Sequence, residues 1–165
     1  MLTAAVFLTV MTVPTTFVAP GAKIVKEPGE YQFTEGPQAL RDGRLLFSDI
    51  PANKLYVLKN GEVSVFRDPS QNANGNTLDR TGRLITCEHG SRQVTRTEGT
   101  GKVTVLASTY EGKKLNSPND ACVSKKGRIY FTDPPYGIRP NQQEQPVNGV
   151  YMIEGDKLSL LLKDF

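Results

Sequence analysis

Apolar positions in this chain fall in short runs broken by Gly, Asn, Asp and charged residues, and no stretch after Gly21 sustains a helical period. Runs such as Leu45-Leu46-Phe47, Leu84-Ile85 and Ile129-Tyr130-Phe131 are short, branched or aromatic, and bounded by turn residues, which is how strands read. Three segments carrying these runs are copies of one another: EGPQALRDGRLLFSDI from Glu35, NGNTLDRTGRLITCEH from Asn74 and NDACVSKKGRIYFTDP from Asn119. In each, a polar residue stands eight positions before a Gly-Arg pair: Gly43-Arg44, Gly82-Arg83 or Gly127-Arg128. The pattern predicts four strands per copy. The first lie at 38–40, 77–78 and 121–123, and the second at 45–47, 84–85 and 129–131. The third lie at 54–58, 93–96 and 149–153, and the fourth at 62–66, 102–106 and 157–162. Gly43, Gly82 and Gly127 sit between first and second strands, where a tight hairpin needs positive φ.

The fold class is therefore all-β. The copies start 39 and then 45 residues apart, the spacing of β-propeller blades, here at 31–70, 71–112 and 115–165. Rotational repetition carries equivalent positions to one axis. Glu35, Asn74 and Asn119 are thus expected to begin innermost strands and to converge within roughly 10 Å on an oxygen-rich site. Asp49, Glu88 and Asp133 recur at the ends of the second strands, and that regularity points to structural work, such as accepting backbone N–H bonds. Propellers close with about four to eight blades. Residues 31–165 hold three, so open edges are expected, and the chain reads as part of a larger ring, a truncated or partial gene product.

Composition changes the picture little. The net charge of +3 is dispersed and no run of Lys or Arg exceeds two residues, which excludes the clustered basic footprint of nucleic-acid binding. Tryptophan is absent, excluding the Trp-Asp propeller repeat. His89 is the single histidine, so no multi-histidine metal cluster can be assembled; it follows Glu88 at the channel mouth, within reach of a substrate. Cys87 and Cys122 fall on different strands of neighbouring blades without CxxC spacing, and are expected to be buried free thiols. Residues 134–147 lengthen one loop of the third blade, either as a shaped mouth or as a surface insertion. Residues 2–13 are uncharged, mostly apolar and too short to span a bilayer. With the small residues that follow, 1–22 reads as an export signal lacking its basic start, placing the protein in the periplasm or outside the cell. The other reading is a buried first strand pairing with the last blade, which leaves a cytoplasmic location open.

Several motifs together carry a resemblance. They are Thr34-Glu35-Gly36-Pro37, Leu46-Phe47-Ser48-Asp49-Ile50, Asn74-Gly75, Cys87-Glu88-His89, Asn116-Ser117-Pro118-Asn119-Asp120 and Tyr130-Phe131-Thr132-Asp133-Pro134-Pro135-Tyr136-Gly137. The chain from Tyr31 to Phe165 resembles the gluconolactonase/regucalcin (senescence marker protein) family, most closely its bacterial gluconolactonase-like branch. The resemblance implies the N-terminal half of a six-bladed propeller with a divalent metal in its channel, most often calcium, with zinc or magnesium as alternatives. It implies hydrolysis of sugar lactones, small molecules with no nucleic-acid partner. It makes Glu35 and Asn119 metal ligands, with Asn119 also touching substrate. Asp120 would orient that site, and Asn74 would contact substrate. The remaining ligands, and the aspartate favoured as general base, would lie beyond Phe165 in the missing half of the propeller, so this chain alone is expected to turn over little. The alternative class is a non-catalytic propeller acting as a binding scaffold.

Overall fold

The computed structural model describes residues 19–164. The first blade is an antiparallel meander of β1 (Thr34–Ala39), β2 (Leu45–Asp49), β3 (Lys54–Lys59) and β4 (Glu62–Arg67). The second holds β5 (Ala73–Leu78), β6 (Leu84–Glu88), β7 (Gln93–Thr97) and β8 (Val103–Ala107). A small hairpin, β9 (Thr109–Tyr110) and β10 (Lys113–Lys114), leads to the third blade. That blade is β11 (Ala121–Val123), β12 (Ile129–Asp133), β13 (Gly149–Glu154) and β14 (Lys157–Leu162). The predicted all-β partial propeller is what the chain forms. Gly43, Gly82 and Gly127 take φ of +83°, +89° and +84°, as their turns require.

Two details depart from the pattern. The first strands of blades one and two begin earlier than predicted and include Glu35 and Asn74. Each carries a register shift against the second strand, between Glu35 and Gln38 and between Ala73 and Asn76. An extra residue on one strand of a pair is a β-bulge, a device that re-aims side chains next to functional sites. A single 3-10 turn, Pro140–Gln142, is the one helical feature among the described residues.

Second-strand side chains alternate between the two neighbouring blades. Leu46 of blade one packs with Ala73 and Leu84 of blade two. Ile85 and Cys87, on the opposite face of β6, pack with Ile129, Phe131 and Tyr151 of blade three. Polar bonds pin the same joints. The Gly75 N–H donates to the Asn119 carbonyl at 2.8 Å. At the other end of the strands, Arg41 Nη2 donates to the Arg80 carbonyl at 2.6 Å, and Arg80 Nη1 donates to the Lys125 carbonyl. These three basic residues stand at the same place in successive turns.

The recurring acids are structural, in differing ways. Asp49 accepts the N–H groups of Gln32 and Phe33 at 3.0 and 3.1 Å, tying the entering chain to blade one. Asp133 accepts the Asn116 N–H at 2.7 Å. Glu88 corrects the expectation of backbone partners: its longer side chain reaches Arg67 at 2.9 Å and the hydroxyls of Ser91 and Thr95 at 2.5 and 2.7 Å. Cys122 is a second correction. Cys87 is buried, and burial pushes its thiol pKa well up, but Cys122 is exposed because no blade covers its face.

Burial pushes the Asp133 carboxyl up to about 6, against the N–H groups of Asn116 and Ser117 and the charge of Arg92. A folded pKa above the ordinary aspartate value costs stability as pH rises. The carboxyl ionises freely in the unfolded chain from about pH 4, yet only near pH 6 in the folded one. Stability is therefore expected to fall by up to about 3 kcal/mol between pH 4 and pH 6.5 from this group alone. Asp133→Asn should flatten that slope in urea denaturation series; a slope unchanged by the substitution would contradict the assignment.

Candidate functional site at the inner strands

The bulged starts of the inner strands lie side by side. A side chain at Gly36 would meet the Asn74 carbonyl and Asn76. One at Gly75 would occupy the place of Asp120 Oδ1 and the Asn119 carbonyl. Glycine is needed at 75 because the Asn119-Asp120 backbone and the Asp120 carboxylate press against it there. The structure therefore sets the Glu35-Gly36 segment against Asn74 and Asn76, and the Asn74-Gly75 segment against Asn119-Asp120.

The side chains differ in how they are held. Asn74 is buried, and its Nδ2 lies 3.2 Å from His89 Nε2. With the amide donating, the ring proton falls on Nδ1 and Asn74 keeps Oδ1 as its free acceptor group. His89 is buried as well, and burial lowers its pKa below the ordinary histidine value, so the imidazole is neutral at neutral pH. Asn119 is half-buried; its N–H donates to the Thr132 carbonyl at 2.8 Å. Asp120 is exposed and accepts the Ala121 N–H at 2.8 Å. Glu35 is exposed, accepts the Gly36 N–H at 3.2 Å, and borders a groove on the uncovered face of blade one.

Further residues complete the surroundings, and the repeat pattern did not reveal them. Asn76 Nδ2 reaches the Gly36 carbonyl at 3.1 Å, Ser48 Oγ at 2.8 Å and the Asn74 carbonyl at 3.0 Å. It locks the first two inner strands together. Its repeat equivalents are Pro37 and Ala121, so no repetition marks it. Ser117 Oγ donates to the Pro134 carbonyl at 2.6 Å and accepts the Gly137 N–H at 2.8 Å. That bond holds Gly137 against His89, where a Cβ would come within 2.5 Å of the imidazole. The long loop of blade three is pinned rather than loose, because Asn116 and Gln145 bond each other at 3.1 and 3.2 Å.

Gly137→Val is accordingly expected to push the ring off Asn74 toward water. Since His89 is the single histidine, one NMR resonance reports the result. Its pKa should rise toward the ordinary histidine value, and an unmoved titration would show that Gly137 does not hold the ring.

The oxygen donors suit a hard cation in kind: one carboxylate and the amide oxygens of Asn74 and Asn119. They are fewer than the six to eight that calcium takes. Among the described residues, no three His, Cys, Asp or Glu side chains group to hold a metal ion. No helix there is long and apolar enough to cross a membrane. The segment 1–22, read as an export signal, lies mostly outside the described residues.

Fold and site together define a β-propeller segment whose polar inner-strand starts gather on one side of the blades. Residues 33–165 match the model of the SMP-30/gluconolactonase/LRE-like region, and the chain belongs to that family. It is 34% identical over 147 residues to a gluconolactonase from Zymomonas mobilis, covering 77% of this chain and 41% of that protein. The solved structure of a gluconolactonase from Xanthomonas campestris superposes with a TM-score of 0.76 at 35% identity, over 81% of this chain and 48% of that one. A calcium-binding regucalcin from Agrobacterium tumefaciens shares the fold with a TM-score of 0.59 at 16% identity, over 79% of this chain and 43% of that one. The chain thus spans somewhat under half the length of these relatives.

Proposed function

We propose that this chain supplies one half of a lactone-hydrolase channel, with a sugar lactone as substrate and a divalent cation, calcium foremost and zinc or magnesium as alternatives, as cofactor. The observation that carries the reading is the meeting of Glu35-Gly36, Asn74-Gly75 and Asn119-Asp120, with His89 bonded to Asn74, in a chain 35% identical to a gluconolactonase. Glu35 and Asn119 would hold the cation, which when bound would polarise the lactone carbonyl. Asn74 Oδ1 and the Asn119 amide face substrate hydroxyls. His89 is a positioning residue: uncharged, it fixes the Asn74 amide without repelling a cation. Asp120, wedged against Gly75, sets where Asn119 sits. The general base is an aspartate on a blade beyond Phe165, so the chain by itself turns over little. Residues 1–22 direct it out of the cytoplasm.

The test is a chimera in which residues 33–165 replace the matching part of the Xanthomonas gluconolactonase. Acid release from gluconolactone should persist and should vanish with a chelator. A folded chimera that binds no divalent ion and opens no lactone would refute the reading.

A further inference from the structure

Asp49 and Asp133 do the same backbone work in blades one and three: Asp49 accepts the Gln32 N–H and Asp133 the Asn116 N–H. In the repeat frame Asn116 is the equivalent of Gln32 and Gln71, each three places before the residue that opens an inner strand. Gln32 and Gln71 are exposed, whereas Asn116 is fully buried. Its side chain does something the blade does not require. Nδ2 donates to the Gln145 and Val147 carbonyls at 3.1 and 3.2 Å, and Oδ1 accepts the Gln145 N–H at 3.2 Å. A primary amide suits this place, because it offers donors and an acceptor together. The next residue, Ser117, is also fully buried and holds the other end of the same loop, at the Pro134 carbonyl and the Gly137 N–H. Two consecutive side chains thus dock both ends of 134–147. The pair is tied in turn to blade two, where Arg92, three places on from His89, donates through Nε to the Leu115 and Asn116 carbonyls at 2.6 and 3.0 Å.

We propose that Asn116 and Ser117 are a positioning pair: by docking the two ends of loop 134–147 they keep the Gly137 backbone seated on His89, and so hold the Asn74 amide where it meets substrate. The links are all in place. Gly137 lies so close to the ring that a Cβ there would meet His89 Cγ at 2.5 Å, and His89 Nε2 lies 3.2 Å from Asn74 Nδ2. Asn119 does not depend on this route. Its N–H donates to the Thr132 carbonyl and its own carbonyl accepts the Gly75 N–H, both at 2.8 Å, so its backbone is clamped from two other strands. The pair therefore acts on substrate recognition through His89 and Asn74, and not on the cation. What Asn74 meets rests on the lactone-channel reading; where His89 sits does not.

Asn116→Ala cuts the docking of the far end of the loop, and Ser117→Ala cuts that of the near end with less buried polar pairing lost. In the full chain, either change should raise severalfold the rate at which diethyl pyrocarbonate modifies His89, read by mass as an adduct on the single histidine. Gln32→Ala, at the exposed equivalent of Asn116, should leave that rate as it is. In the chimera with the Xanthomonas gluconolactonase, both variants should raise KM severalfold while kcat and calcium affinity stay near those of the parent chimera. Residues that only stabilised the fold would lower the urea midpoint and leave His89 shielded in the folded chain. His89 as protected in both variants as in the parent overturns the proposal, whatever the chimera does. So does an exposed His89 with KM unmoved. A parent chimera that opens no lactone refutes the function alone, since the reactivity of His89 then decides the placement by itself.

Discussion

Glu35→Gln in the chimera is expected to abolish divalent-ion binding and lactone hydrolysis together. The substitution keeps the shape and one oxygen but removes the only carboxylate that begins an inner strand; Asn74 and Asn119 are the other two starts. A hard dication held largely by neutral amides loses the charge that offsets its dehydration. The loss should exceed a hundredfold in kcat/KM, which corresponds to about 2.7 kcal/mol or more of transition-state stabilisation. Isothermal titration with calcium, run beside the assay, separates lost binding from lost chemistry. Full activity in the ion-loaded Gln variant would sink the assignment of Glu35. Because Glu35 is exposed and bonds only its neighbour's N–H, the variant should fold as the parent does.

Phe131→Ala should have the largest effect on stability. Phe131 is 1% exposed at the joint between blades two and three, stacked on Tyr151 with ring centroids 5.3 Å apart. Removing a buried phenyl ring costs about 3–5 kcal/mol, since the cavity collapses only in part. Tyr151 is itself held edge-on by Tyr110, also at 5.3 Å, and blade three carries its own backbone ladder, so little can move in to fill the space. Against typical domain stabilities of about 5–15 kcal/mol, the loss should lower the midpoint of urea unfolding markedly, and bring it close to zero denaturant at the low end of that range. A drop under 1 kcal/mol would mean that the joint is not a cooperative part of the fold.

The repeat frame made most of the fold legible because strand alternation and turn chemistry are local properties. A Gly-Arg pair after each first strand, with apolar runs on either side, is enough to place hairpins and to number the blades. The same frame placed Glu35, Asn74 and Asn119 at equivalent starts, and it marked Asp49, Glu88 and Asp133 as structural. It misjudged Glu88 because the frame aligns chain positions, not side-chain reach. The donors of Glu88, Arg67 among them, come from elements the repeat does not align with it. It misjudged Cys122 because burial there depends on a neighbouring blade, which no local pattern can supply.

What the sequence determined by itself is the all-β class, the blade period and the identity of the polar residue that opens each inner strand, since all three are written in short-range patterns. Only the tertiary structure decided which of those residues meet, and through what. Asn76 bridging Gly36, Ser48 and Asn74 has no counterpart in the other repeats, and the seat of His89 beneath Gly137 joins residues far apart along the chain. Both are long-range contacts set by how one blade leans on the next. The physical reason is that local preference fixes strands and turns, whereas the angle at which two faces pack follows from side chains that are distant in sequence.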